Sequence, residues 1–291
     1  MAPQGAQGAQ GPLDSPCSRA FFLQAAPGQR FCIYHPSAAA LRGAVLYIHP
    51  FAEEMHCARR MAALQSRALA AAGFAVLQVD LLGCGDSSGD FADALWEHWL
   101  ADVQAAACWL LHQAEHESGF APPCLWLWGL RAGCLLARQA AERLGRPCQL
   151  LFWQPCLSGR AVLQQWVRLQ GAADLLGNGA AAGGNTPLQR LQAGQEVELA
   201  GYMLTPALAQ GLQAAQLQAP DAGSPVRQVV WFELSLQQPP ALSALPPPWQ
   251  STPCKLQRQA LPGPAFWQLM DAPANLGLLQ ASTAALCAGA T

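Results

Sequence analysis

The sequence predicts an α/β fold, with a mainly parallel sheet, helices on both faces and an inserted cap. Short apolar runs alternate along the chain with segments whose apolar residues recur every three to four positions, the pattern of strands alternating with helices in a parallel sheet. These runs are uninterrupted, which is typical of strands buried on both faces. The chain has 291 residues, 52% of them hydrophobic, and is long enough for a sizeable core.

The individual elements follow from these patterns in chain order. Pro27-Gly28 favours a tight reversal between the first two runs, which predicts an antiparallel hairpin. Helices are predicted to separate the later strands, and glycines such as Gly73 and Gly145 end two of them. The predicted strands are Phe21–Leu23, Gln29–Tyr34, Ala44–Ile48, Phe74–Val79, Leu125–Trp128, Leu150–Trp153, Val226–Leu234 and Lys255–Leu261. The predicted helices run from about Glu54 to Gly73, Trp96 to Leu110, Ala132 to Leu144 and Asn275 to Leu286.

A cap inserted into the sheet is predicted at about residues 158–222. This segment is rich in Ala, Gln and Gly and has helical patterns near Val162–Leu169 and Pro206–Leu217. Structureless stretches of this length are uncommon inside compact domains, so the segment should carry structure of its own. The prolines at 246–248 predict an extended connection to the last strand.

The charge balance excludes several classes of partner. Sixteen Lys and Arg residues against eighteen Asp and Glu give a net charge of −2, so no basic face for nucleic acid is predicted.

Each apolar run ends well before the ~20 residues that a transmembrane helix needs. Residues 1–18, predicted as a flexible tail before one domain at 19–291, lack the basic and apolar regions of a signal peptide. Since none of the eleven cysteines forms a C-x-x-C pair, we expect a cytoplasmic protein with reduced thiols, and no cofactor is predicted.

Three motifs resemble turns of the α/β-hydrolase superfamily. The segment Asp80-Leu-Leu-Gly-Cys-Gly-Asp-Ser-Ser-Gly89 resembles the D-x-x-G-x-G-x-S-x-G turn that follows a central strand in that superfamily. His49-Pro50-Phe51 stands where its oxyanion loop leaves a strand. Gly129-Leu-Arg-Ala-Gly133 stands where its G-x-S-x-G nucleophile elbow joins a strand to a helix. Because the three occur in order at corresponding positions, the resemblance implies an α/β-hydrolase fold.

A narrower resemblance covers roughly residues 19–286. The segments His49 to Met55, Asp80 to Gly89, Gly129 to Gly133 and Ala200-Gly-Tyr202 resemble the exosortase A system-associated hydrolase 2 family of bacteria, which is encoded beside PEP-CTERM sorting genes. The resemblance implies partners among the proteins of the exosortase and exopolysaccharide system. It implies no particular reaction.

The residues that a serine hydrolase needs are absent from their expected positions. Arg131 stands at the nucleophile position of the elbow, and a guanidinium has neither a hydroxyl to attack with nor an acceptor for a proton. All six histidines precede the elbow, and Pro264–Trp267 stands where the late catalytic histidine would be. Glu233 is at the position of the triad acid, but we favour a solvated or Arg-paired role because it has no imidazole to orient. A non-catalytic or non-classical member of the fold is therefore predicted.

An anion-binding site is predicted to survive at the elbow. The backbone N–H groups of Phe51 and Ala132 should converge at a helix N-terminus, where Arg131 adds a fork of donors suited to a small anionic or acyl ligand. The alternative is an internal ion pair, because a buried guanidinium needs a partner with or without a ligand. The acids expected at the mouth of the pocket are Glu53, Glu54 and Asp86.

Two further hypotheses remain at this point. An active hydrolase or acyltransferase would have to use other residues, the candidates being His49, Glu53, His56 and Cys84. Glu53 and His56 are three residues apart and can share a helix face, but no metal site is predicted because His49 ends a buried strand and favours a hydrogen bond there. The third hypothesis is a scaffold whose cap binds another protein.

Overall fold

The computed structural model describes residues 17–176 and 185–289, in which one large sheet organises the fold. The strands are β1 (Arg19–Gln24), β2 (Gln29–His35), β3 (Gly43–Ile48), β4 (Phe74–Val79), β5 (Leu125–Leu130), β6 (Cys148–Trp153), β7 (Val197–Leu199), β8 (Tyr202–Leu204), β9 (Val226–Ser235) and β10 (Lys255–Pro262). The strand order in the large sheet is β1-β2-β4-β3-β5-β6-β9-β10. The strands from β4 to β10 in this order are parallel, whereas β1 and β2 form the predicted antiparallel hairpin. A short antiparallel pair, β7 and β8, lies outside this sheet.

Helices cover both faces of the sheet. The helices described are α1 (Glu53–Ala71), α2 (Trp96–Ser118), α3 (Gly133–Leu144), α4 (Gly159–Leu176), α5 (Pro187–Gln192), α6 (Pro206–Ala214), α7 (Pro247–Gln250) and α8 (Leu276–Gly289). Along β3, Leu46 and Ile48 belong to the core that contains α2 and α3. Val45 and Tyr47 belong to the opposite core, which contains α1 and α8. The predicted fold class is confirmed, because each central strand sends alternate side chains into two apolar layers.

The chain between β6 and β9 forms an insertion above the sheet. Its two ends are joined by backbone hydrogen bonds, from Leu217 N–H to the carbonyl oxygen of Leu157 at 2.9 Å and from Gly159 N–H to that of Ala215 at 2.9 Å. A side chain at Gly159 would place its Cβ 1.9 Å from the carbonyl oxygen of Leu212, so only glycine allows α4 and α6 to approach so closely here. Of this segment, residues 177–184 lie outside the described residues.

Some elements differ from the sequence-based prediction. The prolines at 246–248 were expected to be extended, but Pro247–Gln250 forms a short helix, because Trp249 turns inward and its indole N–H donates to the carbonyl oxygen of Leu217 at 2.8 Å. Helix α5 and strands β7 and β8 were not predicted. Strands of three residues are too short to show a periodicity. Residues 1–16 of the predicted tail lie outside the described residues, and Ser18 bonds to His35 at 2.7 Å.

A buried ion pair holds the connection between β4 and α2. Arg30 Nε lies 2.7 Å from Asp102 Oδ2, and both side chains are almost fully buried. The same oxygen accepts the backbone N–H of Leu82 at 2.9 Å. The glycine-rich turn that starts at Asp80 is therefore fixed against α2. None of the helices in the described part of the chain is both long and apolar enough to cross a bilayer.

Candidate functional site

The turn between β5 and α3 has the backbone geometry of a nucleophile elbow. Arg131 has a φ of +54°, a left-handed conformation that is uncommon for a residue with a side chain. A Cβ at Gly133 would lie 2.3 Å from the carbonyl oxygen of Ile48, and a Cβ at Gly129 would lie 2.6 Å from the backbone nitrogen of Cys134. The two glycines therefore let the elbow pack against β3 and α3, and the residue projected at its tip is an arginine.

The guanidinium of Arg131 is held by three different parts of the fold. Its Nη2 donates to Gln165 Oε1 of α4 at 2.8 Å, and its Nε lies 3.4 Å from Glu54 Oε1 of α1. Its central carbon lies 5.4 Å from the centre of the Trp267 ring, within the range of a cation–π contact. Only 13% of the Arg131 side chain is exposed. Arg131 thus connects the elbow with α1, with α4 of the cap and with Trp267.

A cavity of about 70 Å³ lies between the elbow and the cap. Its lining combines three charged side chains with apolar ones. Val162, Gln165 and Trp166 of α4 lie three to four residues apart, so they share the helix face that covers the elbow. The lining residues are Phe51, Ala52, Glu53, Glu54, Arg131, Val162, Gln165 and Trp166.

Trp267 stands at the expected position of the catalytic base and contacts the elbow. It lies in a short 3₁₀ turn, Phe266–Gln268, after β10, and it is 5% exposed. Its indole N–H has no hydrogen-bond partner among the described residues. An indole has no basic nitrogen, so this side chain can stack on the Arg131 guanidinium but cannot accept a proton from a nucleophile.

The ion pair between Arg131 and Glu54 is long and partly buried. Burial raises the pKa of Glu54, and Arg131 opposes that shift only in part. For Arg131 itself burial acts to lower the pKa, but Cys156, Glu54 and Cys134 raise it overall. A guanidinium is charged at any relevant pH, so Glu54 is the member of the pair whose charge depends on pH. Glu54 is therefore easier to protonate than an ordinary glutamate.

His49 is buried and both of its ring nitrogens are engaged. Its Nε2 accepts the backbone N–H of Leu81 at 3.2 Å, so the hydrogen is on Nδ1, which donates to the carbonyl oxygen of Pro50 at 2.7 Å. Burial lowers the pKa of His49, against the raising effect of Asp80. His49 is thus a neutral structural group at the end of β3, without a free lone pair for general-base work.

Neither Cys84 nor His56 forms a catalytic pair with His49. Burial, with Asp80 and Asp102, raises the pKa of the Cys84 thiol far above its ordinary value, which removes the thiolate that a nucleophile requires. His56 is exposed on α1. No group of three or more His, Cys, Asp or Glu residues in the described residues is arranged to hold a metal ion.

Of the three acids expected at the mouth, the structure brings two to the cavity. Glu54 pairs with Arg131, and Glu53 is exposed with its Oε2 3.4 Å from the hydroxyl of Tyr202. Asp86 is not among the residues that line the cavity. Its backbone N–H donates to Asp80 Oδ2 at 3.2 Å, because the glycine-rich turn folds back on its own first residue.

The two residues expected to supply backbone donors lie beside each other. Phe51 and Ala132 both border a small void of about 10 Å³ that His49 and Cys84 also line. The ring of Phe51 packs edge-on against Trp166 of the cap, with 4.9 Å between ring centres. The loop that starts at His49 and the N-terminus of α3 thus border the same small void, which is separate from the Arg131 cavity.

Glu233 has the partners of a structural carboxylate. Arg258 Nη2 donates to its Oε1 at 2.7 Å, the Trp231 indole N–H donates to the same oxygen at 2.8 Å, and the backbone N–H of Ser243 donates to Oε2 at 2.8 Å. Burial would raise the pKa of Glu233, but these bonds, led by those from Ser243, lower it overall. Arg258 also lies 5.2 Å above the Trp231 ring.

Sequence reasoning missed the cap residues of the site. Val162, Gln165 and Trp166 fall within a helical pattern that indicates a helix but not what the helix covers. For Tyr202 a signal existed, because the Ala200-Gly-Tyr202 motif carried part of the resemblance to the exosortase-associated family. Its ring packs against Phe91, with 5.2 Å between ring centres.

Comparisons with known proteins agree with this architecture. Residues 30–121 match the family described as X-Pro dipeptidyl-peptidase (S15 family), a segment that ends before the elbow. Est1E from Butyrivibrio proteoclasticus with bound ferulic acid superposes with a TM-score of 0.61 at 14% identity, covering 93% of this chain and 97% of that one. A soluble variant of monoglyceride lipase from Saccharomyces cerevisiae, in complex with a substrate analogue, gives 0.56 at 11% identity, with 97% and 98% covered.

A further solved structure carries the superfamily in its description. XC6422 from Xanthomonas campestris, described as an α/β serine hydrolase without lid, gives a TM-score of 0.50 at 16% identity, with 96% of each chain covered. No curated protein matches the sequence. The parallel sheet, the elbow and these likenesses together establish that the chain has the α/β-hydrolase fold.

Proposed function

We propose that this protein is a non-catalytic member of the α/β-hydrolase fold that binds a small carboxylate or acyl anion at Arg131 beneath its cap. One observation carries the proposal: the elbow projects a guanidinium toward the cavity from the position of the nucleophile. An arginine fork matches a carboxylate in geometry as well as in charge.

The same residues argue against a serine-hydrolase mechanism. Acyl transfer by this route requires a hydroxyl at the elbow and a base to remove its proton. Arg131 offers no such hydroxyl, and Trp267 at the base position offers no acceptor. These residues therefore support a site that binds a ligand without catalysing acyl transfer.

The surroundings of the guanidinium suit an acyl anion. Gln165 and Glu54 engage Nη2 and Nε, and an arginine has five N–H donors in all, so capacity remains for a ligand. Phe51, which lines the cavity, and Ala132, which borders the small void beside it, are expected to supply backbone N–H donors near the N-terminus of α3. Phe51 and Trp166 offer an apolar wall for the rest of the ligand.

Within the proposal, the protein acts in the cytoplasm of a bacterium as part of the exosortase A and PEP-CTERM system. The support is the motif set that resembles the exosortase-associated hydrolase family, including Ala200-Gly-Tyr202, whose tyrosine reaches Glu53 at the cavity. Its expected partners are proteins of exopolysaccharide or surface-protein sorting. We do not favour an active hydrolase that uses His49 or Cys84, because His49 has no free lone pair and Cys84 has a strongly raised pKa.

Ligand-induced thermal stabilisation tests the proposal. A ligand that binds only the folded state raises the melting temperature, so we expect small carboxylates to stabilise the parent protein but not Arg131→Met. The matched control is Arg258→Met, because Arg258 is equally buried, pairs with a glutamate and stacks on a tryptophan, but lies away from the cavity. Stabilisation that vanishes in both variants, or in neither, would contradict a specific role for Arg131.

A further inference from the structure

The Arg131 cavity already contains one carboxylate. Glu54 lies 3.4 Å from the guanidinium Nε, and its side chain is 20% exposed. Arg131 is the only cationic side chain that lines the cavity within the described residues, whereas Glu53 and Glu54 are both acidic. The positive charge that a ligand would meet is therefore already balanced inside the protein.

A ligand carboxylate must share this single cation with Glu54. Two carboxylates that share one partly buried site do not both ionise easily, because each disfavours the charged form of the other. Such a pair holds one proton between its two members. Binding of a second carboxylate at Arg131 is therefore expected to bring a proton with it.

We propose that the ligand is a short monocarboxylic acid, of about two to three carbons, whose binding at Arg131 takes up one proton into the pair formed with Glu54. The inference rests on the proposed function, since it specifies the ligand class and the protonation of the same site. In this arrangement the guanidinium binds one carboxylate and one carboxylic acid, so ligand binding adds no net negative charge beside Arg131.

The cavity volume limits the size of the ligand. A cavity of about 150 Å³ in another protein admits one benzene molecule, and the present volume of about 70 Å³ is roughly half of that. Acetate or propionate fits this space, with the alkyl group against Phe51 and Trp166. A long acyl chain exceeds this volume. A phosphate would bring a second negative charge to a cavity with one cation.

The thiols that face Glu54 do not compete for this proton near neutral pH. On α1 the neighbours of Glu54 are Glu53, which is exposed, and Cys57, whose pKa is raised by burial. From the loop after β6, Cys156 also faces it, with a pKa raised by burial to about 11. Both thiols are thus already protonated. From α4 the neighbour is Gln165, which does not titrate.

The sign of the pH dependence follows from the proton balance. Free protein with ionised Glu54 and an ionised ligand combine with one proton to form the complex. The affinity should therefore rise as the pH falls through the pKa of Glu54 in the complex. Uptake of one proton lowers the dissociation constant about tenfold for each unit that the pH falls. This dependence ends at the pKa of Glu54 in the free protein or at the pKa of the free ligand, whichever is higher.

Titration calorimetry of the parent protein in two buffers of different ionisation enthalpy measures the proton directly. Acetate, propionate, octanoate and inorganic phosphate serve as ligands. We expect propionate or acetate to bind with an uptake approaching one proton. Glu54→Gln, which keeps the shape of the side chain and removes its charge, should bind tighter above neutral pH with almost no proton uptake.

The outcomes separate this inference from the function it rests on. Propionate binding without proton uptake, or with the same uptake in Glu54→Gln, overturns the shared proton but leaves carboxylate binding at Arg131 standing. Preference for phosphate or octanoate overturns the ligand class. If no carboxylate binds either the parent protein or Glu54→Gln, the proposed function itself fails. The measurement on the parent protein decides these points even if the variant does not fold.

Discussion

Replacing Arg131 with methionine removes the charge at the elbow and keeps most of the side-chain volume. The variant loses a charge-assisted hydrogen bond to Gln165 at 2.8 Å, which is worth ~1.5–3 kcal/mol. It also loses the cation–π contact with Trp267, worth about 0.5–2 kcal/mol. Since such contributions are not additive, we expect the free energy of unfolding to fall by ~2–4 kcal/mol near neutral pH.

The pH dependence of this loss identifies the partner. Arg131 lowers the pKa of Glu54, so its removal raises that pKa further and leaves a buried carboxylate that is costly when charged. A raised folded-state pKa destabilises the protein above the ordinary carboxyl pKa, and the cost disappears as the pH falls and Glu54 takes up a proton. The destabilisation by Arg131→Met should therefore shrink on acidification.

Equilibrium urea unfolding at several pH values, followed by tryptophan fluorescence, measures both quantities. Arg258→Met serves as the control for removal of a buried, stacked arginine whose partner, Glu233, has a lowered pKa. A change of less than about 0.5 kcal/mol in Arg131→Met would refute the view that the guanidinium is held by three parts of the fold. A loss that is the same at about pH 5.5 and pH 8 would refute Glu54 as its partner.

Three other predictions concern catalysis, stability and thiols. Simple aryl esters should be hydrolysed no faster than by denatured protein, and Arg131→Ser should remain inactive because general-base catalysis, typically worth about 10²–10⁴-fold, is still missing; turnover blocked by a fluorophosphonate would contradict this. Asp102→Asn leaves Arg30 buried without its counter-charge, so urea unfolding should show a loss of about 3–5 kcal/mol, and a loss below about 1 kcal/mol would be inconsistent with the buried pair. All eleven cysteines are unpaired, so a thiol titration in denaturant without reductant should find eleven; nine would indicate a disulfide.

The strands were predictable because short uninterrupted runs of apolar residues indicate that they are buried. The run Ala44–Ile48 is apolar at every position, and in the structure both of its faces are covered. The elements of the cap were harder to predict because β7 and β8 have three residues each. Their place is decided by contacts with α4, α5 and the Phe91–Asp93 turn, and not by any repeat of their own.

Within the site, only the residues whose positions follow from a recognisable turn or from the order of elements were predictable. The elbow glycines mark the position of Arg131, and the order of elements marks the position of Trp267. Nothing local indicated that Gln165 would meet the guanidinium, because that contact joins residues 34 apart in the chain. The pairing of Arg131 with Glu54 and not with Asp86 likewise depends on three-dimensional packing, because α1 brings Glu54 to the elbow and the turn that holds Asp86 folds back on Asp80.

In the proposed function, Arg131 makes the elbow a carboxylate site in place of a nucleophile site. A titration of carboxyl-labelled ¹³C-propionate followed by NMR tests this, with the parent protein, Arg131→Met and Arg258→Met. We expect a saturable change of the carboxyl resonance with the parent protein and with Arg258→Met, and none with Arg131→Met. Saturable binding that persists in Arg131→Met, or its absence from the parent protein, would show that Arg131 does not form a carboxylate site.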